Sequence, residues 1–380
     1  MTRESKGLLI EESRTNVAEV SEDFGNTSFW SPTNQTITTN VATAPDGTLT
    51  ADNVVPAAGS AATRYLYFSV SEYPMSANAK YTTSIFVKKN GLRYFAFQAH
   101  DNGGGSGHRA GFDLDNGTVV SGTPNNMGAA SGVSASIVEF PNGWFRCIIT
   151  GTTAGSGSAG RTAFSFSSAL DSNASVVAIT ADGTNGGYVW GHQVEAGAFV
   201  TSYIPTDLST ATRGADQTYI DGQDFLDFYN QTEGTMISSH SILPNIPSTH
   251  NLYTYQISPT GATAYAPLRL LDKNASYGNS LTAASVYNNG TVFLVQDTGS
   301  PVTVVDRKYK VAVSIKKDDY DAVFNGGTLQ SDGSGDLYTA DHISIGYYKP
   351  SPQAYLNGHI QRLIYYPTKL TNNQLNTLTA

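Results

Sequence analysis

The stretch GYVWGHQVEAGAFVTSYIPTDLSTATRGAD, residues 187–216, decides how the chain is divided. Gly187 to Val194 reads as a strand with bulky residues on both sides, the pattern of a strand packed on two faces. Gly197 and Pro205 punctuate it, and the Ser/Thr run that follows leads into a second globular unit. The segment reads as a domain seam. At 380 residues the chain is long for one sandwich and fits two domains of ordinary size. The expected division is 1–17 as an N-terminal segment able to serve as an attachment strand, 18–206 as a first sandwich and 207–380 as a second.

Outward from the seam, both halves alternate in period two with frequent turns. In RYLYFSV (64–70), Leu66, Phe68 and Val70 share one face, and Tyr65, Tyr67 and Ser69 the other. KYTTSIFVK (80–88) is a strand followed by Asn90-Gly91, a hairpin signal. LRYFAFQAH (92–100) puts Phe95 and Phe97 on one face and Tyr94, Gln98 and His100 on the other. The second half supplies nine further strand candidates between Gly234 and Tyr366, with tight turns at Asn289-Gly290 and Asn325-Gly326. Helical periodicity is expected only in the last ten residues, where Thr371 and Gln374 have capping-box spacing and Leu370 and Leu375 the spacing of a hydrophobic staple. The fold class is all-β: two tandem antiparallel β-sandwiches of jelly-roll or concanavalin-A-like type with one short C-terminal helix.

Composition narrows the function classes. Charged residues make up only 14% of the chain, so its surface polarity comes from Ser, Thr, Asn, Gln and Gly, while 22 Tyr and 16 Phe fill aromatic cores. A net charge of −9 argues against a nucleic-acid partner. The single Cys147 excludes an intramolecular disulfide and reads as a small buried apolar residue. No apolar run is long enough for membrane insertion as a helix, and MTRESKGLLI lacks a secretory pattern.

Catalysis finds no constellation: there is no E-x-D-x-E strand, no H-E-x-x-H, no G-x-S-x-G elbow and no P-loop, so the protein is not expected to be an enzyme. No cofactor is expected. A structural Ca²⁺ could use Asp46, Asp52 and Asp182, although Asx-turn capping explains the same residues. Saccharide binding suits the residue types better, since aromatic faces stack on pyranose rings and planar polar groups bond their hydroxyls. The candidates are Tyr65, Tyr67, Tyr94, Gln98 and His100 in the first unit, and Tyr277, Asn279, Tyr347 and Tyr348 in the second. Burial of both sheet faces, with the Tyr hydroxyls bonded, is the competing explanation. Tyr253 and Tyr255 share parity with Ile257 and read as core.

Four stretches, GLLIEESRTN (7–16), NGWFRC (142–147), YVWGHQVEAGAFVTSYIP (188–205) and LNGHIQRLIYYPTKLTNNQLNTL (356–378), resemble a bacteriophage virion protein family. In that family a carbohydrate-binding-module-like jelly roll precedes a laminin-G/concanavalin-A-like domain. The resemblance implies a structural protein of the virion, a tail or capsid fibre or an adhesin, assembled in the host cytoplasm. It further implies other virion proteins as partners, a homotrimer, and host surface polysaccharide as ligand. In relatives the first stretch follows a longer N-terminal region; here six residues precede it. Attachment would then run through a separate protein or through donation of the first strand to a partner's sheet edge. A purely architectural decoration or collar component without sugar binding is the alternative.

Overall fold

The computed structural model describes residues 6–60, 65–101, 105–156, 159–170, 180–243, 252–259, 266–273, 281–286, 291–296, 308–337, 339–348 and 354–380. The protein is all-β and antiparallel. It divides into two units: Arg14–Arg213, and Met1–Ser13 together with Gly214–Ala380.

The first unit is a sandwich of two sheets. Its front sheet runs, in spatial order, Thr118–Val119, Gly107–Asp113, Tyr94–His100, Ala159–Ser167, Tyr65–Pro74 and Trp30–Thr33, with Asn125–Met127 paired to the Gly107–Asp113 strand. The back sheet runs Ser131–Phe140, Trp144–Thr152, Lys80–Asn90, Gly186–Ala196, Ala51–Pro56 and Gln35–Ala42. Between them Trp30, Leu66, Phe68, Phe95, Phe97, Phe112, Phe164, Phe166, Ile85, Val87 and Cys147 form one buried cluster. Alternation in RYLYFSV and LRYFAFQAH thus sends Leu66, Phe68, Phe95 and Phe97 inward, because every second residue of a strand faces the same side. Asn90-Gly91 does not close a hairpin. The strand before it lies in the back sheet and the next strand, Tyr94–His100, in the front sheet, so the turn carries the chain across the sandwich. Gly91, at φ 94°, lies against Asn185 in a space that a Cβ would overlap.

The seam wording is explained by buried hydrogen bonds. Asn16, fully buried, accepts from the N–H groups of Val194 (2.9 Å) and Ala18 (3.2 Å) and donates to the carbonyls of His192 (3.2 Å) and Ile204 (3.0 Å). Glu195 accepts from Thr201 N–H at 3.1 Å, and Gln193 accepts from Ile204 N–H at 2.6 Å. Arg146 donates to Thr201 O (2.7 Å) and to Ser84 Oγ, its guanidinium lying over the Phe86 ring. The strand Arg14–Asn16 pairs with Ala211–Arg213, so both ends of this unit leave side by side.

The second unit is also a sandwich of two sheets. One runs Leu8–Ile10, Gly358–Tyr366, Glu233–Ile242, Lys308–Lys316, Asp319–Phe324 and Gln330–Asp332; the other runs Thr218–Asp221, His342–Ile345, Leu252–Ser258, Ala266–Lys273, Leu281–Val286 and Thr291–Gln296. The N-terminal apolar run pairs within its own chain, Leu8 with Ile360 and Ile10 with Gly358. Ile10 is fully buried in the core of this unit, and Glu12 N–H donates to Asn357 Oδ1 at 2.9 Å. Asn325 and Gly326 both have positive φ, the backbone of a tight type I′ turn; Asn289-Gly290 lies outside the described residues.

The helix Asn372–Thr379 carries the expected capping box, with Thr371 and Gln374 each bonding the other's backbone. Leu375 is buried against Ile237, Ala312 and Val323, and Leu370 packs beside it. A one-turn helix, Gly222–Leu226, departs from the expectation that only the last ten residues are helical. It is too short to show periodicity, and the burial of Phe225 anchors it.

Candidate functional site

The front sheet of the first unit has a second face, opposite the aromatic core, and the strand register lays out its residues. Tyr67 pairs with Ala163, which pairs with Gln98, which pairs with Arg109. One row along, Ala96 stands between Ser165 and Gly111; on the other side His100 stands between Arg161 and Gly107. Small residues (Ala96, Ala163 and Ser165, each fully buried) therefore floor the middle of the face, with larger polar and aromatic groups rising around them.

Four of the five expected residues come together there. The rings of Tyr65 and Tyr67, both half-buried, lie 5.6 Å apart. Gln98 donates from Nε2 to the Tyr65 hydroxyl at 3.1 Å, and its Oε1 lies 3.2 Å from His100 Nε2. This is an aromatic pair backed by a fixed amide–imidazole line. Burial leaves the Tyr67 hydroxyl above its usual pKa, with Tyr65 adding to the effect, so it acts as a neutral donor and acceptor. Gln35, reaching from the back-sheet strand Gln35–Ala42, donates to Ser165 Oγ at 2.9 Å and closes the floor on one side.

Tyr94 occupies the same face but stands apart from the group. It pairs with Ser167 and Asp113, and the Arg93 guanidinium covers its ring at 4.9 Å. Asp113 is committed there as well: Arg93 Nε donates to it at 2.9 Å and Asn116 Nδ2 at 2.7 Å, which holds its carboxyl far below the usual range.

The candidates of the second unit fare differently. Tyr277 and Asn279 lie outside the described residues. Tyr347, expected at an accessible strand end, is instead buried in the core, stacked on Tyr355 through a bridge that turns the chain back. Tyr348 is half-buried and stacks on Tyr253 at 4.7 Å with planes 15° apart. Tyr253 is buried, as its parity with Tyr255 and Ile257 implies, but packs outside the cluster those two share, with register shifts on either side of it. A bulge of this kind is invisible to parity counting.

The three aspartates weighed for calcium each serve local backbone. Asp46 Oδ1 accepts from Thr48 N–H and Oγ1, and Asp182 Oδ1 accepts from the N–H groups of Thr184 and Asn185. Asp52, almost fully buried, accepts from Phe24 N–H (3.0 Å) and Asn40 N–H (2.9 Å). Burial raises its pKa to about 6 against the pull of those two bonds. Among the described residues no group of three His, Cys, Asp or Glu side chains is placed to hold a metal ion.

Sequence reasoning missed Arg109 and Arg161 on the front face. The alternation that selected Gln98 and His100 could have found Arg161, which shares its parity with Ala163 and Ser165 in AGRTAFSFS. It also missed a cavity of about 580 Å³ in the second unit, lined by Asp319, Asp321, Asp332, Lys369 and Asn372, where Lys369 Nζ bonds Asp319 at 3.0 Å and also pairs with Asp321.

Comparison with known proteins finds no matching family model and no matching curated protein. Among solved structures the chain is similar to the mouse laminin α1 chain domains LG4–5 (10% identity, 96% of this chain and 92% of that one, TM-score 0.28). It is also similar to a lactose- and MES-liganded congerin II (8% identity, 40% and 100%, TM-score 0.27). A third likeness is to the leech intramolecular trans-sialidase (16% identity, TM-score 0.32), where 40% of this chain aligns with 23% of the other. These likenesses are too distant to carry a function across, and the sandwich assignment stands on the strand order described above.

Proposed function

We propose that this protein is a non-catalytic saccharide-binding component of a bacteriophage virion, of fibre or adhesin type, that engages host surface polysaccharide with the front face of its first sandwich. The observation that carries the binding is the Tyr65–Tyr67 pair set beside the Tyr65–Gln98–His100 hydrogen-bonded line, over a floor of small residues. Two aromatic rings offer stacking surface, and an amide held by neighbours on both sides meets sugar hydroxyls without an ordering cost. The virion setting is supported by the resemblance of residues 7–16, 142–147, 188–205 and 356–378, and a homotrimer is proposed on the same ground.

Most glycosidases cleave with a pair of carboxyl groups ~5–9.5 Å apart. The carboxylate among the described side chains of this face is Asp113, and Arg93 and Asn116 occupy it. A reducing-sugar release assay should therefore give no signal.

A second reading, a face that serves as an assembly surface, draws on the 8% and 9% exposure of Gln98 and His100. The two separate on an array of bacterial surface polysaccharides probed with the full chain and with Tyr65→Ala/Tyr67→Ala. Saccharide binding lost in the variant supports recognition. Absence of binding together with loss of particle assembly in the variant supports the architectural role.

A further inference from the structure

The front face has a charge pattern that the acidic chain as a whole does not suggest. Arg109 stands directly opposite Gln98, and Arg161 directly opposite His100, so two half-buried guanidinium groups bracket the amide–imidazole line. Arg161 is two residues from Ala163, the partner of Tyr67, and lies where the register with the neighbouring strand shifts. The carboxylate of Asp113 is at the far end, one row beyond Ala96, and is neutralised by Arg93. Sugar hydroxyls are served by amides and tyrosine hydroxyls; two guanidinium groups flanking them on one binding face match a planar anion as well, because the guanidinium fork and a carboxylate make two parallel hydrogen bonds. A guanidinium carries five N–H donors, so one steadied by a protein partner can still present an edge to a second acceptor.

Building on the saccharide reading of this face, we infer that its ligand is an acidic saccharide bearing a carboxylate, of the uronic or sialic acid class. A ring stacked on Tyr67 brings its carboxylate within reach of Arg161, and a neighbouring ring meets Gln98 and Arg109. The net charge of −9 then works as selectivity, since a polyanion is repelled elsewhere on the chain and accepted where the two arginines stand.

The test is an array of uronic- and sialic-acid oligosaccharides and neutral glycans printed in two copies, one methyl-esterified so that every carboxylate is neutral while the rings are unchanged. The full chain should bind the free-acid copy about tenfold or more tightly than the ester, with the advantage shrinking as salt rises. Arg161→Gln and Arg109→Gln should each shrink the free-acid advantage to about twofold or less, whereas Tyr67→Ala should weaken both copies and keep the advantage. Equal or tighter binding to esters or neutral glycans overturns the acidic preference and leaves the saccharide reading standing. No binding to either copy overturns both. The salt and ester comparisons use the unaltered protein, so they hold even if a variant fails to fold.

Discussion

Gln98 donates to the Tyr65 hydroxyl at 3.1 Å although their strands are not neighbours; the strand Ala159–Ser167 runs between them. The bond spans that strand only because the residues beneath, Ala163 and Ser165, are small. The geometry of the face thus depends on a floor that itself contacts no ligand. Ala163→Leu should push Gln98 and Tyr67 apart and lower saccharide affinity about tenfold or more, at an overpacking cost of ~1–3 kcal/mol. Parallel titrations and urea unfolding separate the two effects, and unchanged affinity in a folded variant would remove the floor from the account.

Asn16 is the corresponding lock at the seam. It satisfies four buried backbone groups from residues 18, 192, 194 and 204. Asn16→Ala should destabilise the first sandwich by about 2–4 kcal/mol, because buried groups lose their partners with no water to replace them. All three tryptophans, Trp30, Trp144 and Trp190, lie in this unit, so fluorescence-detected urea unfolding reports on it selectively. A loss below about 1 kcal/mol would mean that the backbone groups find other partners.

Acid should weaken the same unit. Burial lowers the His108 pKa to about 4, the nearby Asp101 partly opposing, and lowers that of His192 to about 3. Both lie below the unfolded value of 6.5, so the unfolded chain binds more protons and stability is lost as pH falls from 6.5 toward those values. Asp52 acts in the opposite sense: its pKa of about 6 exceeds the unfolded 3.8, so acidification through that window adds stability. Two histidines outweigh one aspartate, and the tryptophan-detected melting temperature should fall between pH 6.5 and 4.5. His108→Gln should make the fall shallower, whereas a flat profile in the unaltered protein would contradict the burial of both rings.

The C-terminal helix offers a check on the second sandwich. Leu375→Ala should cost about 2–4 kcal/mol through the cavity it leaves against Ile237 and Val323. Thr371→Ala removes the cap and should cost about 1 kcal/mol. Thermal unfolding followed by circular dichroism distinguishes them, and equal small effects would mean that the helix is not part of the cooperative unit.

Much of this was legible in the sequence where local rules and tertiary packing agree. Thr371 and Gln374 announced their capping box, and the alternation of Phe95, Phe97, Tyr94, Gln98 and His100 sorted itself onto two faces as expected. Where the register shifts, as around Tyr253, parity still finds the buried residues but not the cluster each joins, because an irregular pairing turns the side chain away from its alternating neighbours. Asn90-Gly91 misled for a different reason: a positive-φ glycine serves a sheet-to-sheet crossing as well as a hairpin. Nothing local tells that Leu8–Ile10 pairs with residues 358–360, since that contact joins opposite ends of the chain. Arg109 entered the candidate face through strand register, which a single sequence does not display.

The most direct test of the account is calorimetric titration of the full chain and of Tyr67→Ala with the tightest-binding saccharide from the array. A one-site isotherm for the unaltered protein, weakened about tenfold or more in the variant with its fold intact, is the predicted result. Equal affinity in the two proteins, or no heat for any saccharide, would contradict saccharide recognition by the Tyr65–Tyr67 face.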